Sequence, residues 1–543
     1  MAATKKLKPI ESLLRTAATS GCQGVQHRAC RVPALLVVCL IAMALTGMTA
    51  TGASGQTRHR MFLGTGEYDR YIPWDAIDVF DRAELINGNK PPDRRLSGTT
   101  STFNFPHMLY YRESTDELYV TSLFTNEIQI FAGARTMSAG ATPTRVIGGA
   151  STLLDEPHGL WIDEQRDMIY VACRLGEPTA PTTRGQVLVW HSASTANGNI
   201  APNRTIGGAA TNLDQPFNAF IDSARDYLYI ANANGVPSNR GVVIYHSAST
   251  VSGSPPPDRQ IAGPTFSPFA AAHPTVHNVQ VDLVRDHLYV ASHDQDVFVF
   301  HNASTATGDI AADRTLTGFK HALGLYYVEA DDVLYVSDAD ESGPGPVPGA
   351  PPQAVRVFNA ASTLTGSVAS SASRVIYWDP EALTDYPPQP IAIHRYNCSL
   401  GVKAKMKVRL ASLPFSDSLT MVALVNAGSA PNPAATGLVI TAPLNNGSIL
   451  SYTLPPGDPR WTSSGTTDTW SDRGGLQDGV VFFQVRPSGS GYKVTLKVRY
   501  RNYASTVAGV TAADFDFDFG GAAGCSAIPA MACVSSASGL SCK

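Results

Sequence analysis

One phrase returns five times along the middle of this chain and constrains its fold more than any other feature. It reads ELYVT at 117–121, MIYVA at 168–172, YLYIA at 227–231, HLYVA at 287–291 and VLYVS at 333–337. An alternating apolar segment precedes it, as in PHGLWID at 157–163, PFNAFID at 216–222 and VHNVQVD at 276–282. The links between the two are acidic and turn-like: DEQRD, DSARD and DLVRD. A third run follows each phrase: EIQIF, QVLVW, VVIYH, DVFVF and AVRVF. A loop of small residues then leads to a short closing run: RVIGG, RTIGG, RQIAG, RTLTG or RVIYW. Alternating Val, Ile, Tyr and Phe bounded by Gly, Pro, Asn and Asp marks strands. Four short strands in each unit of roughly 45–60 residues mark a propeller blade.

The ends of the repeat region fit a shared blade. Residues 61–98 hold MFLG, AIDVF and RRLSG, which match strands two, three and four without a first. Residues 389–394 (QPIAIH) read as a lone first strand. Joining them would hide two sheet edges. The expectation is an all-β chain with a six-bladed β-propeller over 61–398, or seven blades if 375–400 holds a degenerate repeat. The wording P-H-G-L-x-I-D, I-Y-V-A and V-x-V-W, over about residues 61–395, resembles NHL-type and YVTN-type β-propeller repeats. That resemblance implies a fold and leaves the activity open, because propellers carry many activities.

Composition agrees. Charged residues are 16% of the chain, which suits sheets buried on both faces. A net charge of −4 lacks the basic footprint of a nucleic-acid binder, so no nucleic-acid partner is expected. Residues 1–31 are basic, 32–48 are apolar, and small residues dominate to 55. This order reads as a signal peptide or, if uncleaved, an N-terminal anchor over 1–55. A secreted, periplasmic or cell-surface protein follows, touching a membrane only through that segment. Five cysteines lie beyond it: Cys173, Cys398, Cys525, Cys533 and Cys542. Three crowd the C-terminus, as a disulfide staple would, and the odd count leaves at least one thiol free. Their pairing stays open.

From 402 to 543 the repeat is gone and short alternating strands suggest a β-sandwich. Lys403, Lys405, Lys407 and Arg409 share one strand face, as do Lys493, Lys497, Arg499 and Arg501. Asp514, Asp516 and Asp518 alternate with Phe515, Phe517 and Phe519. The Asp ladder admits a calcium reading, since hard cations want several oxygens. The reading preferred here is a solvated face balanced by neighbouring basic strands.

Aligning the units on the repeated phrase puts His107, His158 and His277 at one equivalent position, near the start of the first strand. Phe217 and Leu323 fill that position in the other two units, and Asn218 and Asn278 align with Gly159 and Gly324. First strands line a propeller's channel, so three imidazoles are expected to converge, an arrangement used for catalytic zinc. PHGLWID is similar to a zinc-bearing segment of peptidyl-hydroxyglycine α-amidating lyases, which have six-bladed propellers and three channel histidines. That resemblance implies zinc at His107, His158 and His277 and cleavage of a hydroxyglycine N–C bond. It covers only the repeat phrase, and the Tyr and Arg that complete that family's site have no assigned counterpart here. The repeat copies a His cheaply, so the leading expectation is an exported, non-enzymatic scaffold presenting propeller loops to a protein, peptide or glycan. The alternative is a metal-dependent enzyme, lyase-like or lactonase-like, with zinc or calcium.

Overall fold

The computed structural model describes residues 57–66, 75–97, 104–176, 185–233, 240–262, 266, 276–292, 296–339, 354–367, 372–377, 388–413 and 415–543. The segment read as a signal or anchor, 1–55, lies outside the described residues. The described part is all-β, and five four-stranded units make a β-propeller-like ring. Unit I is Pro106–Arg112, Glu117–Ser122, Glu127–Ala132 and Arg145–Gly148. Unit II is Pro157–Asp163, Met168–Gly176, Gly185–His191 and Arg204–Ile206. Unit III is Pro216–Asp222, Tyr227–Asn232, Gly241–His246 and Arg259–Ala262. Unit IV is Asn278–Asp282, His287–Ala291, Val297–His301 and Arg314–Thr317. Unit V is Ala322–Val328, Val333–Asp338, Ala354–Asn359 and Arg374–Tyr377. All pair antiparallel in chain order.

The repeated residues turn out to be contacts between units. The Tyr of the repeated phrase reaches the next unit: Tyr119 donates to the Ala193 carbonyl, Tyr170 to Ala248 and Tyr229 to Ala303. The Arg that opens each fourth strand does the same. Arg145 donates to the carbonyls of Ala193 and Ala196, and Arg259 to those of Ala303 and Ala306. The Asp before the phrase holds the small-residue loop, as Asp226 accepts from the amide and hydroxyl of Ser249. These Asp sit in the left-handed region, φ 60° at Asp226, which Asp tolerates better than most residues. Parallel bridges from Ile147 to Gly198, Ile206 to Gly253 and Ile261 to Gly308 stitch neighbouring units together.

The chain ends meet as the sequence suggested. Pro388–Leu400 pairs antiparallel with Thr57–Thr65, which pairs with Ala76–Asp81, which pairs with Arg94–Ser97. A bridge from Ile376 to Gly88 ties these strands to unit V. Pro388–Leu400 then runs on into the C-terminal strands, where Cys398 pairs in parallel with Cys525. Those two cysteines form one disulfide and Cys533 with Cys542 another, leaving Cys173 as a buried thiol. The oxidised pairs suit an oxidising compartment. Among the described residues no helix is long and apolar enough to cross a membrane.

The C-terminal strands share one core. Val480–Ser488, Gly491–Arg501, Asp417–Val425 and Lys403–Arg409 lie side by side, and Ile449–Leu454, Leu438–Pro443 and Ala512–Asp518 pair with one another. Phe515, Phe517 and Phe519 enter the core with Ile440, Met421 and Leu496. The Asp ladder corrects the solvated-face expectation. Asp516 and Asp518 are buried against the ring: Arg58 and Arg82 pair with Asp516, and Arg60 and Arg135 with Asp518. Guanidinium donors thus occupy the lone pairs that a calcium ion would need. The neighbouring basic strands do not supply the countercharge.

Candidate functional site

The first strands open with a residue that leaves the ladder. In unit I, Pro106 faces Ser122 and Met108 faces Thr121, so His107 is an extra residue between them. The same shift isolates His158 in unit II and Phe217 in unit III. A bulge re-aims its side chain. Proline suits the strand start, because it has no amide to contribute. His277 stands just before its strand and donates its backbone amide to the Ala291 carbonyl.

These side chains meet as the alignment predicts. The His107 ring centre lies 4.1 Å from that of His158 and 5.4 Å from that of His277. Phe217 packs among them, 4.4 Å from His158 and 5.1 Å from His277. Each histidine uses Nδ1 on a backbone carbonyl: His107 on His158 (3.2 Å), His158 on Glu156 (2.9 Å) and His277 on Leu323 (2.9 Å). A carbonyl only accepts, so Nδ1 carries the proton and Nε2 is the bare nitrogen in each ring. Burial, then the neighbouring His158 ring, holds His107 far below its ordinary pKa. Burial brings His158 down to about 3, with the positive charge of Arg174 adding to the effect. Both rings are therefore neutral at physiological pH.

The rings fill the channel. A cavity of about 10 Å³ remains beside them, lined by His107, His277, Phe217, Asn218, Asn278 and Pro390, which is about the space of one water. The side-chain oxygens of Asn218 and Asn278 are buried there without a hydrogen-bond partner among the described residues. The neutral rings of His107 and His158 have the protonation a metal requires. The placement does not match: among the described residues no group of three or more His, Cys, Asp or Glu side chains is positioned to hold a metal ion. The donor chemistry suits zinc and the spacing does not.

No family model matches this chain, and no curated protein matches it.

Tight packing explains the glycine at the Asn position in unit II. A Cβ on Gly159 would lie 2.4 Å from the Cα of Asn218 and 2.7 Å from the Phe217 carbonyl, both backbone atoms that cannot swing aside. Gly159→Ala is expected to cost about 1–3 kcal/mol in denaturant titrations, by overpacking. A cost near zero would mean the channel is looser than drawn.

Two histidines that end third strands make packing contacts within their own units. His246 stacks on Tyr227 at 4.2 Å and accepts from Arg259; His301 stacks on His287 at 4.3 Å and accepts from Arg314. The sequence did not point to a second cavity, about 450 Å³, where Asn87, Lys90 and Asp93 face Ser451, Arg501 and Tyr503. Its volume is in the range of small-ligand pockets. No local motif marks it, because its two walls come from opposite ends of the chain.

Proposed function

We propose that this chain is an exported binding protein: a six-bladed propeller of NHL or YVTN type, closed by its two ends and followed by a β-sandwich. On this reading the strands from Pro388–Leu400 to Arg94–Ser97 are the sixth blade, and the N-terminal basic–apolar–small segment is the export signal. The partner is a protein, peptide or glycan held by loops of the propeller rim and by the cavity beside Lys90 and Arg501. One observation carries the reading. The cavity beside the convergent histidines holds about 10 Å³, too little for a substrate, whereas the rim cavity offers about 450 Å³. Loops on a rigid scaffold are the usual carriers of recognition.

A metal-dependent enzyme is the second reading, favoured by the three imidazoles that all tie Nδ1 to backbone carbonyls. Elemental analysis of the purified full chain separates the two. The binding reading expects no stoichiometric zinc or calcium, together with hits on a glycan or peptide array. One equivalent of metal, lost in His107→Ala/His158→Ala, would overturn it.

A further inference from the structure

With Asp516 and Asp518 buried against arginines, the outer face of the strands from Lys403–Arg409 to Val480–Ser488 has no countercharge among the described residues. Lys403, Lys405, Lys407 and Arg409 point outward and are exposed, while Ala404, Met406 and Val408 enter the core. The ladder repeats this across the sheet. Lys407 is in register with Thr420 and, beyond it, Lys497; Lys403 is in register with Leu424, Lys493 and Arg486. Arg499 continues the Lys497 column outward. The only acid on these four strands is Asp417, which is buried and accepts from the backbone amides of Ala411 and Tyr503. Elsewhere the sheet pairs its cations, as Arg460 with Asp458 and Asp472. Same-face neighbours lie about 7 Å apart along a strand and about 5 Å apart across strands, so these charges repel one another. An anionic surface would relieve that repulsion.

A second observation narrows the partner. The turn joining the first two of these strands exposes Leu413 (70%) and Phe415 (68%). Asp417 pairs with Arg501, which brings Tyr500, 51% exposed, to the same end of the sheet. The Tyr500 hydroxyl donates to the Arg473 carbonyl, in the loop that exposes Leu476 (86%). A soluble polyanion would match the charge and leave these four large apolar side chains in water. A bilayer with anionic headgroups matches both.

We propose that this face docks on an anionic lipid bilayer, its lysines and arginines on the headgroups and the turn around Leu413 and Phe415 inserted at its end. The proposal goes beyond the binding reading of the propeller and stands whether or not that reading does. The test is co-sedimentation of the full chain with vesicles of phosphatidylcholine, with and without about one third phosphatidylglycerol. Every sample carries residues 1–56, so their contribution cancels between variants. Binding to the anionic vesicles is expected to fall as salt rises. Lys405→Glu/Lys407→Glu/Lys497→Glu should weaken it by more than about 100-fold, since the three lost positive charges alone are worth about 1 kcal/mol each. Leu413→Ser/Phe415→Ser should weaken it about 10-fold and leave the salt dependence unchanged. Circular dichroism of both surface variants checks that they are folded. Equal vesicle binding by wild type and the charge-reversed variant would overturn the proposal. So would binding to sulfated dextran in place of vesicles, lost in that same variant, which would make the partner a soluble polyanion.

Discussion

Replacing Arg60 with methionine is expected to cost the fold about 3–5 kcal/mol, the usual penalty for removing one partner of a buried ion pair. Arg60 is 0% exposed and lies between two carboxylates, Asp81 at 2.5 Å and Asp518 at 3.0 Å. Burial pushes the Asp81 carboxyl up, and the guanidiniums of Arg94 and Arg60 beside it more than reverse this. Without Arg60 those carboxylates stay in a dry site with less compensation. Thr57–Thr65 carries Arg60 and Ala512–Asp518 carries Asp518, so the same change loosens the C-terminal strands from the ring. Chemical denaturation should show a lower midpoint, and limited proteolysis should show earlier cleavage between the two parts. Arg60→Met/Asp518→Leu, which removes one charge of each sign, should be less destabilised than the sum of its single variants. A cost below about 1 kcal/mol for Arg60→Met would mean that water reaches the cluster.

That cluster also shows where reading the sequence stops. The repeat was legible because each unit reuses the same local chemistry: the Asp and the Tyr three residues after it recur with the strand-four Arg, and their contacts stay within a unit or reach the next one. The register of His107, His158 and His277 followed from that spacing. The bulges that aim His107 and His158 inward did not, because a one-residue slip leaves the apolar alternation unchanged. The Asp ladder was legible as a strand and misread as a surface. Asp516 meets Arg58 across 458 residues of chain, and no pattern within a strand tells whether its polar face meets water or a partner. Composition had the same blind spot: a balanced total charge concealed one face that is entirely basic and a seam where opposite charges are buried together.

Acid is expected to unfold this protein from the histidines downward, before most of its carboxylates titrate. Burial holds both His158 and His394 down to about 3, and His107 well below its ordinary value of about 6.5. For His394, the positive charge of Arg60 adds to burial. In the unfolded chain these groups take up a proton near 6.5, while in the fold they stay neutral. Above that pH the two states bind equal numbers of protons and stability is flat. Below it the unfolded state binds more, so stability falls with falling pH, by roughly 1.4 kcal/mol per unit for each histidine until its folded pKa is reached. Three such groups together give a slope of roughly 4 kcal/mol per unit. A fold of ordinary stability, about 5–15 kcal/mol, would be exhausted near pH 3–5. The depressed carboxyls of Asp81 and Asp518 add to the loss only below about pH 4, where their unfolded counterparts protonate. Denaturant titrations at pH 7, 6 and 5 measure the slope directly. His158→Phe, which keeps an aromatic ring against Phe217, should reduce it by about 1.4 kcal/mol per unit over that range. If the slope is unchanged in this variant, His158 is protonated in the fold, and the channel is wetter and wider than its 10 Å³ cavity implies.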